Sequence, residues 1–509
     1  MKWLNREKIC IIPIGILILL TFLTIVYVNL FRFNYSMNAD IASDAVLARL
    51  IWESKEWIPD SWYVSTETKV FSMPNLAALV YGITGNMNLS AGISCVILSA
   101  GVLVSGYYLA RALKLSAVNI GLFLLLCLIL PNNFTVVELL YLFAVYYAPH
   151  TIVLFITLAI YAKALDGKLA IVAIVVSILL EIMLGVQGVR GILVISGPLM
   201  MVEFFRNLYL FYCRRKPGKK DIYLCIWSVS LVAAGFLGGL FPGSVGQSFS
   251  RNIRRAPEKL LEHVIPNILQ GLGFNVARGA EVAVMIVALV LLSIMTGVTL
   301  YKLWNREEID SKEWVFLVLT AAPLAAAAIL TVTTVESSDR YFYGFIFAMS
   351  LAIVLLYERS RGWLKGICIV FVLGTFILHY NKIYIPIIKS AEPPANDVRQ
   401  VVEYLEEQGL KQGYASFGHA NTMTVYSNGD IRIAAIDQPS KMNICKWMSS
   451  TDWYVPNVPF EARTAYIITE LELEEFQTFL DQHEETVEKE TQIGIYHIFS
   501  SDYNYSNLE

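Results

Sequence analysis

The sequence is short of charge: Asp, Glu, Lys and Arg make up 16% of its 509 residues, against 56% hydrophobic residues. With a mean hydropathy of +0.56, that shortage excludes an ordinary soluble globular chain and leaves an integral membrane protein. A concentrated basic face is missing as well. The formal net charge is −3, which excludes nucleic acid as the partner, since duplex binding needs clustered positive charge. Cysteines are few, and all but Cys445 lie in or beside apolar runs. Cys445 alone builds no external disulfide framework. No CxxC pair and no His-Cys cluster with zinc spacing occurs, nor any internal repeat or low-complexity tract.

What the chain does have is long apolar runs. Lys2, Arg6 and Lys8 precede Ile9 to Phe31, a run long enough to cross ~30 Å of hydrocarbon and lacking a small-residue cleavage site. It reads as a retained helix with a cytoplasmic amino terminus. Further runs start near Leu89, Ala117, Tyr146, Leu169, Ile192, Ile222, Val282, Trp314, Tyr343 and Ile367, so about eleven spans are expected within 1–389. The basic loops, YCRRKPGKKD above all, then fall on the cytoplasmic side. Helices at 38–85 and 241–279 are expected outside. From Ser390 the composition changes, with Pro393 and Pro394 marking a linker. The region 390–509 reads as a small external α/β domain: helices at Asn396 to Gly409 and Leu471 to His483, and strands in GYASF, IRIAAI, AYIIT and IGIYHIF.

The stretch from Asn38 to Thr68 holds the first candidate chemistry. Asp40 and Asp44 are four residues apart and share one face of an expected helix. Leu47, Leu50, Ile51 and Trp52 form an apolar stripe beside them, expected to lie along the membrane surface, with Trp57, Trp62 and Tyr63 as interfacial anchors. Asp40 either caps this helix or faces a polar cavity.

Other ionisable groups sit near the outer ends of spans, where their cost implies a cavity or a partner. His150, in YYAPHT, is a metal ligand, a substrate contact or a satisfied interfacial group, and Glu138 is the residue that would join it around a divalent ion. Arg190 lies in LGVQGVRG, where Gly185, Gly188 and Gly191 allow a tight turn. Its planar fork of donors suits phosphate, and a lipid headgroup or Glu181 are the alternative partners. Asp339 and Arg340 precede Tyr341, and either pair with each other or meet a ligand. Arg251, Arg254, Arg255 and Lys259 form an external basic face, suited to an anionic lipid carrier or to membrane adhesion.

An acidic residue soon after the first span, an external helix leading to a tryptophan, many further spans and an external carboxyl-terminal domain resemble the GT-C superfamily of membrane glycosyltransferases. Within it the chain looks most like bacterial relatives of protein O-mannosyltransferases and of aminoarabinose transferases, with weaker echoes in GVQGVRG and DRYF. The resemblance implies an α-helical polytopic, GT-C-like membrane domain. It implies Asp40 as catalytic base with Asp44 next, although Ile41 follows Asp40 where such families carry an adjacent acidic pair. It further implies inverting transfer of a sugar from a polyprenyl-phosphate donor to a cell-envelope glycan, lipid or protein at the outer face of the plasma membrane. Arg190 and Arg340 are the candidates to meet the departing phosphate, with Tyr341, His150, Glu138 and Trp57 completing the substrate-binding set. A divalent metal ion is left open, and no other cofactor is expected. The competing readings are a lipid or envelope-polymer transporter or flippase, and a non-catalytic envelope-binding membrane protein.

Overall fold

The computed structural model describes residues 2–168, 170–213, 217–241, 250–274, 278–390, 396–454, 459–483 and 486–506, with side chains except at 2–10, 396 and 459–462. Pro393, Pro394 and the basic stretch 214–216 lie outside the described residues, as do the side chains of Lys2, Arg6 and Lys8 and parts of the 241–279 loop.

Among the described residues nine helices are long and apolar enough to cross a membrane: Ile11–Phe31, Met87–Ala112, Ala148–Leu165, Ile192–Tyr212, Lys219–Gly238, Ala280–Trp304, Ser311–Val332, Asp339–Arg359 and Trp363–Lys389. A tenth is the pair Ala117–Ile129 and Phe134–Tyr141, bent by 118°, where Pro131 ends the first helix and Asn133 caps the second by accepting the Thr135 N–H. The expected eleventh run is the apolar helix Ile171–Gln187, which has 17 residues.

The chain divides into two compact units, Met1–Val28 with Val96–Lys389, and Asn29–Cys95 with Ser390–Glu509. In the first unit, helices meet closely where side chains are smallest. Gly185 faces Gly235, and a Cβ on Gly185 would collide with the Gly235 carbonyl. Two of the buried carboxylates here, Glu203 and Glu313, are paired with cations. Glu203 accepts from Arg206 at 2.7 and 2.9 Å and from the Tyr161 hydroxyl at 2.9 Å, and Arg206 also reaches Asp221 at 2.8 Å. Glu313 is held by Lys302 at 2.8 Å and Arg359 at 2.6 Å. Such pairing is what a low-dielectric environment demands of an ionised carboxylate.

The second unit is built on a mixed sheet of six strands: β1 (Gln412–Ser416), β2 (Arg432–Gln438), β3 (Asn443–Ile444), β4 (Pro459–Thr469), β5 (Glu488–Ile493) and β6 (Tyr496–Tyr503), in the order β3-β2-β1-β4-β6-β5. β1 pairs parallel with both β2 and β4, and the remaining pairs are antiparallel. The central strands β2 and β4 bury both faces, because successive residues there are apolar. Ile433, Ala435, Ala465 and Ile467 point to one core, which receives Val398, Val401, Val402 and Leu405 of helix Asn396–Glu407. That i, i+3, i+4, i+7 spacing gives the helix its single buried stripe. Ala434, Ile436, Tyr466 and Ile468 point to the other core, covered by Phe476 and Phe479 of helix Leu473–His483.

The stretch after the first span belongs to this second unit. Helix Ala39–Ser54 packs against helices Met73–Thr84 and Phe417–Tyr426, and Ser43 accepts a hydrogen bond from Asn421 at 2.7 Å. Of the apolar stripe expected on a membrane surface, Leu47 and Ile51 are buried within the protein, Leu50 is half-buried and Trp52 is exposed. Trp62 bridges to Ser450, where the Tyr63 N–H reaches the Ser449 carbonyl at 2.8 Å.

Candidate active site

Helix Ala39–Ser54 is capped by Asn38, whose side chain accepts the Ile41 N–H at 3.0 Å. The capping role considered for Asp40 therefore falls to Asn38, and Asp40 is exposed in the first turn. One turn further on, Asp44 is fully buried. Neither of its oxygens accepts a hydrogen bond at hydrogen-bonding distance among the described residues. Its one close charge is Lys69, whose Nζ stands 3.7 Å from Oδ2, long of a hydrogen bond. Asp44 and Lys69 line a small cleft with Leu47, Ile51, Trp57 and Trp62.

Lys69 is put there by a clamp. Buried Asn75, on helix Met73–Thr84, donates to the backbone carbonyls of Trp57 at 3.2 Å and Lys69 at 3.1 Å, and the Ser72 hydroxyl holds its Oδ1 at 2.6 Å. The Trp57 indole donates to the Val70 carbonyl at 2.8 Å. Both ends of the loop from Trp57 to Val70 are thus fixed, and Trp57, half-exposed, forms a wall of the cleft.

Burial pushes the Asp44 carboxyl up from 3.8 to about 6, Lys69 opposes this, and the neighbouring charges of Asp40 and Glu67 add to it. Burial dominates because a charged carboxylate without hydrogen-bond donors loses its hydration. The outcome is a group ionised at neutral pH yet basic enough to take a proton, the balance general-base chemistry requires.

The remaining candidates lie in the first unit. Gly188, at φ 147°, makes the turn after helix Ile171–Gln187. Of the three expected turn glycines it alone does the turning, because Gly185 is spent on the close helix crossing. Arg190 follows, its guanidinium 4.4 Å over the Tyr147 ring. Tyr147 stacks on Tyr343 at 4.7 Å and meets the buried His150 edge-on at 6.4 Å. Arg340 stands near both Tyr147 and Arg190, and its guanidinium lies 5.7 Å from the Tyr341 ring. The structure thus brings Arg190, Arg340 and His150 near Tyr147, with Tyr341 beside Arg340. Glu138 is half-buried on the short helix Phe134–Tyr141. Among the described residues no group of three or more His, Cys, Asp or Glu side chains assembles that could hold a metal ion.

Two expected pairings resolve differently. Glu181 accepts the Ser196 hydroxyl at 2.7 Å. Asp339 accepts the backbone N–H of Arg340 at 2.8 Å and an amide hydrogen of Asn133 at 3.3 Å. In the expected basic face, Lys259 donates to the Thr333 carbonyl at 2.7 Å and to that of Val335, while Arg251, Arg254 and Arg255 are exposed. Sequence reasoning missed Lys69 and Tyr147. Lys69 stands one residue past the stretch singled out, and a cation among Asp44, Glu56, Asp60 and Glu67 was the available signal. Tyr147 carried none.

A bundle of membrane-length helices with a small carboxyl-terminal sheet domain is a fold this chain shares with solved structures. Among solved structures it is similar to ArnT from Cupriavidus metallidurans in the apo state, with a TM-score of 0.59 at 10% identity over 96% of this chain and 97% of that one. The same protein bound to undecaprenyl phosphate gives 0.58 at 11% identity, with the same coverage. The Archaeoglobus fulgidus oligosaccharyltransferase in the apo form gives 0.50 at 10% identity, over 90% of this chain and 69% of that one. The sequence matches no protein-family model and no curated protein.

Proposed function

We propose that this chain is a membrane glycosyltransferase that moves a sugar from a polyprenyl-phosphate carrier to a cell-envelope acceptor. In this reading the amino terminus is cytoplasmic and the carboxyl-terminal domain faces outward. The observation that carries the proposal is Asp44, buried at a cleft wall with a raised proton affinity and Lys69 beside it. The likeness to a solved transferase that binds undecaprenyl phosphate supports the lipid-linked donor.

In the reaction, an acceptor hydroxyl attacks the anomeric carbon from the face opposite the phosphate. Its proton passes to the Asp44 carboxylate as the new C–O bond forms, and the bond to the phosphate oxygen breaks with its electron pair leaving on the polyprenyl phosphate. Configuration inverts. A single base suffices because the phosphate departs without needing a proton. Asp44 takes this role in preference to Asp40, whose carboxylate is exposed. Within the helical unit, Arg190, over the Tyr147 ring, and Arg340 gather positive charge of the kind that suits a phosphate.

The test is transfer of radiolabelled sugar from a polyprenyl-phosphate donor by the purified protein. Asp44→Asn is expected to abolish transfer and Asp40→Asn to leave most of it, while Arg190→Ala loses about 10²-fold, the effect of removing one preorganised donor. Full activity in Asp44→Asn would sink the assignment of the base. Transport of the intact carrier across vesicles without any sugar transfer would favour the transporter reading.

A further inference from the structure

A second cavity in the sheet-containing unit, of about 230 Å³, lies away from the Asp44 cleft. Arg49 and Glu53 of helix Ala39–Ser54 line it together with Arg432, Asp452 and Trp453. Gly429 is part of the wall at φ 81°, and a Cβ there would collide with the Arg49 guanidinium. Arg49 is fixed by Glu53 at 2.6 Å and by the Asn428 carbonyl at 3.1 Å. Arg432 and Asp452 are exposed, and among the described residues no ion pair engages the side chain of either. Trp453 is half-buried, packing against the sheet core that holds Tyr466 and Phe476 while also lining the cavity.

The geometry points to a saccharide-binding subsite that takes a single uncharged sugar ring. Three features select that class. The volume falls below the roughly 300–1,000 Å³ of drug-sized pockets, so the ligand is small. The charges at the wall, Arg49 and Arg432 against Glu53 and Asp452, cancel, so the cavity has no field to draw in a phosphate or a polyanion. The negative face of an indole suits the C–H face of a pyranose, while guanidinium and carboxylate groups meet the hydroxyl edge as donors and acceptors. This inference concerns binding, and stands apart from whether Asp44 serves transfer.

The experiment is saturation-transfer NMR on the full-length protein in detergent micelles, with free hexoses, N-acetylhexosamines and their disaccharides as probes, and inorganic phosphate and glucuronate as anionic controls. One or more neutral saccharides are expected to bind, with contacts from the ring C–H face. Affinity should drop at least tenfold in Trp453→Ala and in Arg432→Ala, and only a few-fold in Trp453→Phe. Arg432 and Asp452 are exposed, so Arg432→Ala and Asp452→Ala test the site without a folding burden. Transfer of signal to none of the neutral sugars overturns the proposal. So does binding that all four variants leave unchanged, or tighter binding of phosphate or glucuronate than of any neutral sugar.

Discussion

Among the described residues, buried carboxylates differ in how fully they are paired. Glu203 and Glu313, in the helical bundle, are held by cations at hydrogen-bonding distance. Asp44, in the sheet-containing unit, is just as buried and has one ammonium at 3.7 Å. The first kind ties helices together, since an ion pair in a low dielectric survives only when its donors are all in place. The second kind is left short of donors and stores proton affinity. The difference teaches that burial alone does not raise a carboxylate's proton affinity; burial with few donors does.

The largest expected break in that contrast is Asp44→Asn. Transfer should fall by 10² to 10⁴, the usual worth of a general base, measured with a radiolabelled lipid-linked donor. The folded protein should not suffer. Because the folded-state affinity is raised from 3.8 to about 6, the native state binds the proton more tightly than the unfolded chain does. Asp44 therefore contributes stability that is complete below about pH 3.8 and is lost as pH rises through about 6. At pH 7 the ionised carboxylate costs on the order of 3 kcal/mol at about 1.4 kcal/mol per unit, so Asp44→Asn should raise the thermal midpoint at neutral pH.

Glu203→Ala should do the opposite. It leaves Arg206 buried with only Asp221 as a carboxylate partner, and a loss of about 3–5 kcal/mol is expected in unfolding measurements on the detergent-solubilised protein. A stable Glu203→Ala variant would mean that the bundle pairs are dispensable and the contrast is false.

Lys69→Met sharpens the comparison through pH. Activity of the native protein should fall as pH drops through about 6, where Asp44 takes up its proton. Lys69 opposes that uptake, so its removal should move the acid limb to higher pH. A limb that stays in place would detach Lys69 from the base. Asp40→Asn is the smallest change. The Asp40 charge adds to the affinity of Asp44, so its loss should move the limb slightly toward lower pH with little change in the plateau rate.

Much of the architecture was legible because membrane-length apolar runs have one physical solution, the helix that satisfies its own backbone. The expected runs from Ile9 to Phe31 through Ile367 all appear as helices. The sheet was equally readable, since IRIAAI and AYIIT are too continuously apolar for a strand with one wet face. The candidate site was legible by halves. A four-residue spacing places Asp40 and Asp44 on one face but does not say which of them faces protein.

By itself, the sequence determined the membrane class, the helical runs and the presence of acid near the first span, because hydropathy and periodicity act locally along the chain. Only the tertiary structure decided that Asp44 is the buried acid, that Lys69 is its cation and that Arg190, Arg340 and His150 come near Tyr147. Burial and charge proximity depend on residues far apart in sequence: helix Phe417–Tyr426 covers a helix that starts at Ala39, and Asn75 sets where Lys69 stands. No local pattern encodes such distances.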